Sequence, residues 1–307
     1  MNEIFLKKAG IITTHIASEL ISLKKGDRLP IISDYQQRFE VSRGTIQNAL
    51  NFLKEQGAIV CESRGQLGTF LIDVDYSILQ TYAISAPVLG TMPLPYSMRY
   101  EGLATGLYAA FEAQDIRLNL AYIRGAKERI RLVSTGAYRF AIVSQFAALE
   151  AISQGEPVEI AVNFGKHTYL SQHVLVFADS EKVRVEDSMR IGIDYSSPDQ
   201  YFLIKSLTSG MDVRLVEMPA HQQLFALRTG KVDAGVWNYD EIEDKGYNEF
   251  NFAFLDMTST IFDMGTAVML CKRDDSAMMA IVENNAIQST VLEVQRQVLS
   301  GEKVPNY

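Results

Sequence analysis

The chain has 307 residues, of which 47% are hydrophobic and 21% charged. These values are ordinary for a soluble globular protein, and the length leaves room for two domains. No apolar run approaches the ~20 residues that a membrane-spanning helix needs, and the net charge is −8, so membrane insertion and nucleic-acid binding by bulk charge are excluded.

The charge is divided unevenly along the chain. Residues 1–75 contain nine Lys or Arg and nine Asp or Glu, whereas residues 76–307 carry the whole negative excess. Any contact with DNA must therefore come from a local arrangement of basic and polar groups in the neutral segment. Two isolated cysteines predict a reducing, cytoplasmic location, and four scattered histidines lack metal-ligand spacing, so we expect no metal and no cofactor.

Residues 1–75 have the pattern of a helix-turn-helix unit followed by a β-hairpin. A first helix ends at KKGDRLP, a short helix covers Ser33–Phe39, and Ser42 caps a third helix that runs to about Gln56. The stretch AIVCESRGQLGTFLID then predicts two strands joined by a glycine-rich tip. We expect the third helix to enter the major groove and the hairpin to lie as a wing along the DNA backbone.

The predicted DNA contacts lie on the polar side of the third helix and on the wing. The amides of Gln47, Asn48 and Asn51 can read base edges, and Arg43 can reach guanine or phosphate. The alternative is a small helical bundle whose polar helix faces are simply solvated. The full set of predicted contacts is Ser42, Arg43, Gly44, Thr45, Gln47, Asn48, Asn51, Arg64 and Gly65.

The motifs GDRLP, VSRGTIQNAL and RGQLGTF, in this order, resemble the winged-helix domain of the GntR family of bacterial transcription regulators over roughly residues 5–73. The resemblance implies operator binding, and helix-turn-helix proteins normally read two half-sites as dimers. Two basic contacts of the family are absent here. Ile31, Ile32 and Ser33 stand where Ser-Glu and then an Arg usually follow Leu-Pro, and Gln47 stands where Arg is common.

Beyond a predicted linker at residues 76–82, strands and helices alternate. This alternation predicts an α/β domain with parallel sheets covered by helices, and it excludes an all-helical effector domain. The predicted strands are Ala83–Val88, Leu118–Ile123, Phe140–Ser144, Val158–Phe164, Val174–Phe177, Met189–Ile193, Val213–Glu217, Ala234–Trp237, Asn251–Leu255 and Ala267–Lys272. The predicted helices are Glu101–Glu112, Lys127–Ser134, Gln145–Gln154, Gln200–Leu207, Gln222–Arg228 and Ser276–Leu299.

Two stretches of this segment share one pattern, STGAYRFAIVS at 134–144 and RTGKVDAGVWN at 228–238. Each predicts the end of a helix, a glycine C-cap, a short turn and a buried strand that ends in a small polar residue, Ser144 or Asn238. Two equivalent units imply two similar lobes whose polar strand ends face a shared cleft. The units also resemble type 2 periplasmic-binding-protein folds, the architecture of LysR-type effector domains. This resemblance implies a lobe one at 83–175 and 251–307 and a lobe two at 176–250.

The predicted ligand-binding residues surround the two strand ends. The stretch IGIDYSSPDQYF predicts a helix N-terminus at Ser197 that suits a carboxylate or phosphate, although plain helix capping explains the same serine. Trp237 and Tyr239 flank Asn238 and can stack on a ligand, although a buried structural tryptophan fits equally well. The full set is Ser97, Arg99, Ser144, Gln145, Tyr195, Ser196, Ser197, Trp237, Asn238 and Tyr239.

Together these features predict a cytoplasmic, ligand-responsive transcription regulator that binds operator DNA as a homodimer. A small-molecule effector, with anionic metabolites among the candidates, is expected in the cleft between the lobes. The combination resembles the YhfZ type of regulator over the whole length. The alternatives are an enzyme that carries a DNA-binding head and a ligand-binding module that has lost DNA binding. We expect no enzymatic activity, because the sequence has no G-x-S-x-G motif, no P-loop and no clustered His, Asp and Glu.

Overall fold

The computed structural model describes residues 3–83, 87–114, 116–255, 263–273, 275–282 and 286–307. The chain divides into two compact units. The first contains Met1–Val88, Phe111–Leu118 and Asp274–Asn284, and the second contains Leu89–Ala110, Asn119–Arg273 and Asn285–Tyr307.

The first unit is built on a winged helix-turn-helix. Its helices are α1 (Glu3–Leu20), α2 (Ile32–Phe39) and α3 (Arg43–Glu55), followed by an antiparallel hairpin of β1 (Ile59–Ser63) and β2 (Thr69–Val74). The apolar faces of these elements share one core, whose fully buried members are Ile16, Ala17, Leu20, Tyr35, Ile46, Leu53, Ala58, Leu71 and Leu79. The predicted winged helix therefore folds as a unit with its own core.

The predicted linker at residues 76–82 is instead a helix, α4 (Tyr76–Ala83), which packs against α1. Asp75 caps it by accepting a hydrogen bond from the Ile78 N–H at 3.0 Å, and Leu79 is buried in the core. The helix has only two turns with polar residues between its apolar ones, so tertiary packing stabilises it more than its sequence does. The strand predicted from Ala83 begins only at Val88, and residues 84–86 lie outside the described residues.

The second unit contains two five-stranded sheets. The first has the order β4–β3–β5–β12–β6 and the second the order β11–β7–β10–β8–β9. In the first sheet the strands are β3 (Val88–Met92), β4 (Leu118–Tyr122), β5 (Phe140–Ser144), β6 (Val158–Asn163) and β12 (Ala267–Lys272). In the second they are β7 (His173–Phe177), β8 (Arg190–Ile193), β9 (Arg214–Glu217), β10 (Ala234–Asn238) and β11 (Asn251–Phe254). Lobe one and lobe two denote these sheets with their helices.

Helices cover both sheets, with α6 and α7 on the first and α8 on the second. The helices that follow α4 along the chain are α5 (Met98–Glu112), α6 (Ala126–Ser134), α7 (Gln145–Ser153), α8 (Pro198–Leu207), α9 (Gln223–Arg228), α10 (Tyr239–Lys245), α11 (Ser276–Val282) and α12 (Ala286–Leu299). Of these, α11 belongs to the first unit. The last predicted helix corresponds to α11 and α12, and residues 283–285 between them lie outside the described residues. The α/β architecture with two lobes is as predicted.

The strand directions and the lobe boundary differ from the prediction. The sheets are mixed, because β12 runs antiparallel to β5 and β6, and β7 runs antiparallel to β10 and β11. Strands β7 and β11 belong to the second sheet, so lobe two spans residues 173–254 rather than 176–250. The alternation of strands and helices does not indicate the direction of a strand that enters a sheet from the other lobe. The sequence pattern therefore missed the antiparallel strands.

The repeated sequence pattern corresponds to the same local structure in both lobes. Thr135 and Thr229 each end a helix by bonding their hydroxyl to the carbonyl four residues earlier, and Gly136 and Gly230 follow with positive φ of 79° and 63°. The strands that come next, β5 and β10, are buried along their whole length and lie centrally in their sheets. The predicted helix, turn and strand corners are confirmed.

Candidate functional site

Helix α3 separates a buried apolar side from an exposed polar side. Ser42 begins the helix, its hydroxyl accepting a hydrogen bond from the Thr45 N–H at 3.3 Å and lying 2.9 Å from the Thr45 hydroxyl. These two residues are therefore occupied in capping. The other predicted contacts on this helix, Arg43, Gly44, Gln47, Asn48 and Asn51, are all exposed and leave a continuous polar surface.

The tip of the hairpin is a short 3₁₀ turn, Gly65–Leu67, that begins at Gly65 with φ of 59°. At its base Arg64 is exposed, pairs with Glu62 at 2.8 Å and stacks its guanidinium 4.7 Å from the Phe70 ring centre. The aromatic ring fixes the direction of the arginine without burying its charge. Arg64 is thus presented on the wing, in the way expected for a phosphate contact.

Arg28 is a further basic residue of this surface that the sequence reasoning missed. It forms a β-bridge with Phe70, and its guanidinium lies beside the wing turn, where a Cβ added to Gly68 would stand 2.5 Å from its Nε. The motif GDRLP indicated only a helix break, although the same motif supplies this cation. Arg28 therefore lies beside the wing turn that Arg64 precedes.

A cavity of about 120 Å³ lies between lobe one and lobe two within the second unit. Aromatic and charged side chains dominate its wall. The residues that line it include Leu94, Tyr96, Tyr100, Arg124, Gly125, Arg129, Tyr169, Leu170, His173, Asp194, Ser197, Asp199, Gln200, His221, Trp237 and Asn238.

Arg129 of α6 is a buried cation in this wall, with only 3% of its surface exposed. Its guanidinium donates to the Ile142 carbonyl at 3.2 Å, the Ile123 carbonyl at 2.7 Å and the Tyr169 hydroxyl at 3.0 Å. These bonds use three of its five N–H groups and hold it rigidly. No salt bridge of Arg129 occurs among the described residues, and the Asp199 carboxylate interacts with its charge only without direct contact.

Three tyrosines extend from Arg129 along the cavity. Tyr169 stacks edge to face on Tyr100 at 5.1 Å, and Tyr100 does the same on Tyr96 at 5.3 Å. Burial raises the pKa of all three phenols, so their hydroxyls remain protonated. The hydroxyls are bonded to one another and to Arg129, so the three rings form a neutral aromatic wall of the cavity.

Asp199 and Asp194 are buried carboxylates of lobe two with different surroundings. Asp194 is fully occupied, because it accepts bonds from the Ser196 N–H at 2.9 Å, the Ser196 hydroxyl at 2.6 Å and the Ala220 N–H at 2.8 Å. Among the described residues, the Asp199 carboxylate receives one bond, from the Ser144 hydroxyl of lobe one at 2.8 Å. Burial raises the pKa of Asp199 to about 7, while the Ser144 bond and the Arg129 charge oppose the shift.

His173 and Asn238 face each other as register partners of β7 and β10, and both line the cavity. The Asn238 Oδ1 caps α10 by accepting from the Asp240 N–H at 3.0 Å, whereas its Nδ2 has no hydrogen-bond partner among the described residues. The His173 Nδ1 also lacks one there. Burial lowers the pKa of His173 to about 4, against the charge of Asp240, so the ring is neutral at pH 7.

Three of the predicted ligand residues, Ser197, Trp237 and Asn238, line the cavity. The others serve the scaffold or the contact between lobes. Ser144 bonds Asp199, and Ser196 accepts through its carbonyl from the Lys127 N–H at 3.3 Å and lies where a Cβ on Gly125 would collide with it. Both residues thus hold the lobes against each other rather than lining the wall.

The remaining predicted residues have partners elsewhere. Arg99 pairs with Asp240 of lobe two at 3.2 Å, and Gln145 donates to Asp263 at 3.0 Å. The Ser97 hydroxyl accepts from the Tyr100 N–H at 3.4 Å and caps α5. Tyr195 is 40% exposed, and Tyr239 packs on Phe252 and Phe254.

Two charged groups of the wall, Arg129 and Asp199, were missed by the sequence reasoning. Arg129 lies inside the charged run KERIR, which is typical of a solvated helix face, and Asp199 follows Pro198 where an acidic residue commonly starts a helix. Among the described residues no group of three or more His, Cys, Asp and Glu could hold a metal ion. No helix in the same part of the chain is long and apolar enough to cross a membrane.

Comparison with known proteins agrees with the two-part architecture. Residues 75–307 match the family model of the YhfZ C-terminal domain, and residues 24–71 match a helix-turn-helix model. The protein YhfZ of Escherichia coli (strain K12), described as uncharacterized, is 34% identical over 312 residues, with both chains covered completely. The crystal structure of YhfZ from Shigella flexneri aligns with a TM-score of 0.61 and 32% identity over 74% of this chain and 96% of that one.

A more distant structure shares only the fold. The periplasmic aliphatic sulphonate binding protein SsuA from Escherichia coli aligns with a TM-score of 0.53 at 11% identity, over 71% of this chain and 76% of that one. The two-lobed domain is therefore similar to periplasmic binding proteins in architecture, as the repeated corners predicted.

Proposed function

The chain belongs to the YhfZ family, and from that premise we propose that it is a transcription regulator that binds operator DNA and responds to a small molecule held between its lobes. One observation carries the proposal. A helix-turn-helix with an exposed polar recognition face occurs in the same chain as a cavity whose wall includes His173 and Asn238, each with a polar atom that has no hydrogen-bond partner among the described residues. Such a pair of sites is what reciprocal coupling between DNA and ligand requires.

The DNA-contacting surface combines α3 with the wing. Gln47, Asn48 and Asn51 offer amides that suit base edges, and Arg43, Arg64 and Arg28 offer cations that suit phosphates. The same motifs support a GntR-type winged helix that acts in the cytoplasm as a homodimer on two half-sites. We further propose that the protein has no enzymatic activity of its own.

A gel-shift titration tests DNA binding, with the full chain and fragments that tile the upstream region of its own gene. We expect a salt-sensitive shift, and we expect Arg43→Ala to weaken it by roughly 5- to 150-fold, the range for one lost guanine or phosphate contact. Arg296→Ala is the matched control, because it removes one exposed arginine from the second unit and should leave the shift unchanged.

Three outcomes would contradict the proposal or part of it. Absence of any salt-sensitive shift would favour a ligand-binding module without DNA binding. An unchanged affinity of the Arg43→Ala variant would remove α3 from the interface. Turnover of a bound small molecule would favour an enzyme that carries a DNA-binding head.

A further inference from the structure

Arg129 and Asp199 are two buried charged side chains that line one cavity from opposite lobes. Arg129 is 3% exposed and Asp199 is 7% exposed. They are not an ion pair, since each has its own neutral partners, the carbonyls and Tyr169 for Arg129 and the Ser144 hydroxyl for Asp199. Buried charges are normally paired, so their arrangement across an open space requires explanation.

Each group has bonding capacity left that can serve a molecule in the cavity. The guanidinium of Arg129 keeps one N–H on each terminal nitrogen after its three bonds, so it can still donate to an oxyanion. The Asp199 Oδ2 receives no hydrogen bond among the described residues, whereas both oxygens of Asp194 are occupied. Asp199 is thus the carboxylate available to a donor.

We infer that the cavity binds a small zwitterion, with its oxyanion at Arg129 and its ammonium group at Asp199, an inference that rests on the proposed function. Bound in this way, the molecule supplies each buried charge with the opposite charge it lacks. An anion alone would pair with Arg129 and keep Asp199 in its protonated form, so the Asp199 carboxylate would gain no cationic partner. An amine alone would do the reverse.

The cavity also indicates the size of the molecule that its walls can surround. Its volume of about 120 Å³ is close to the ~150 Å³ of an engineered cavity that holds benzene. A molecule of roughly six to nine non-hydrogen atoms fits, which includes short amino acids and aminosulfonates. The aromatic wall of Tyr96, Tyr100 and Trp237 favours a short apolar side chain over a charged one.

The protonation state of Asp199 provides a separate test of zwitterion binding. Its pKa of about 7 means that a substantial fraction of the carboxyl is protonated at neutral pH in the empty cavity. An ammonium group beside it favours the ionised form, so a zwitterion should release a proton from Asp199 when it binds. A simple carboxylate should not release one.

Calorimetry with matched probes tests the inference. The probes are 2-aminobutyrate, butyrate and butylamine, and equivalent sets built on glycine, alanine, β-alanine and taurine. We expect one or more zwitterions to bind and their anion-only and amine-only analogues to bind at least about 30-fold more weakly, the effect of unpairing a buried charge. In two buffers of different ionisation enthalpy at pH 7, the heat should report proton release.

The variant Asp199→Asn removes the negative charge of the side chain and keeps its shape. Asparagine keeps an oxygen that accepts from Ser144, so zwitterion affinity should fall about 30-fold or more while butyrate affinity does not fall. Asp212→Asn, which removes one exposed carboxylate from lobe two, should leave both affinities unchanged. Equal binding of zwitterion and carboxylate, or no binding of any zwitterion, would overturn the inference. Neither result bears on DNA binding, because the gel-shift titration measures DNA binding independently.

Discussion

Ser144 and Asn238 stand at matching positions of the two lobes and have different surroundings. Each ends a buried central strand and caps the helix that follows, Ser144 through the Ala147 N–H and Asn238 through the Asp240 N–H. The Ser144 hydroxyl is also donated to Asp199 of the other lobe. The Asn238 amide nitrogen has no partner among the described residues, and this side chain lines the cavity.

The difference shows that a repeated scaffold need not carry a repeated role. The turn, the glycine and the strand are the same in both lobes because the same backbone path requires them. The side chain at the strand end then depends on what the opposite lobe presents. In lobe one it meets a buried carboxylate and joins the lobes, and in lobe two it lines the cavity with an amide nitrogen that has no partner among the described residues.

The largest expected effect on stability concerns the carboxylate that Ser144 contacts. The folded pKa of Asp199, about 7, lies above its ordinary 3.8, so the folded protein holds a proton that the unfolded chain has lost. The free energy of unfolding therefore falls as pH rises from about 4 to about 7 and stays lowered above that. Asp199→Asn cannot ionise, so it should be more stable than wild type by on the order of 4 kcal/mol at pH 8 and equal to it near pH 4.

Urea unfolding of both proteins across pH 4 to 8 measures this difference. The wild-type curve alone is not sufficient, because His173 also titrates in this range. Its pKa is lowered to about 4, so its contribution to the free energy of unfolding is lost as pH falls below about 6.5, which is opposite in sign to the contribution of Asp199. Subtraction of the two curves removes that contribution. A difference that is constant with pH would show that Asp199 is not a buried titrating group.

The next largest effect separates the two strand ends. Ser144→Ala removes a helix cap and the donor to a buried carboxylate, so we expect a loss of about 2 to 4 kcal/mol. Asn238→Ala removes only a cap, so about 1 kcal/mol is expected. For a small molecule that stabilises the wild type in a thermal-shift screen, the order should reverse, with the larger loss of affinity in Asn238→Ala.

Ser153→Ala is a matched control for Ser144→Ala. Its exposed hydroxyl bonds the Glu150 carbonyl at the other end of α7, and its removal should change stability by less than about 0.5 kcal/mol. If Ser144→Ala weakened ligand binding without destabilising the protein, the serine would belong to the ligand site and the contrast between the strand ends would disappear.

The contrast also marks where sequence reasoning succeeds. The winged helix was predictable because each element has a local signal, such as the Ser42 cap and the positive-φ Gly57 and Gly65. The two lobes were predictable because the same helix, turn and strand pattern occurs twice in the sequence. Helix α4 and the antiparallel strands were missed because packing decides them.

The cavity was predictable only in part for a related reason. Asn238 follows from its position at a strand end, which is a local feature. Arg129 and Asp199 are 70 residues apart in the chain and lie on the helices of different lobes, so only the way in which the lobes close brings them to one space. No periodicity or spacing in the sequence indicates how the lobes close.

The smallest expected effect is one that should be equal in both lobes. Gly136 and Gly230 have φ of 79° and 63°, and an added Cβ would meet no atom within 4 Å at either site. Replacement by alanine should therefore cost only the left-handed backbone conformation, about 1 kcal/mol at each position. Gly10→Ala, in open space within α1, should instead stabilise by up to about 1 kcal/mol, because alanine is the better helix former. Urea unfolding of the three variants decides whether the corners are equivalent: unequal losses at Gly136 and Gly230 would mean that the shared scaffold, and not only the strand end, differs between the lobes.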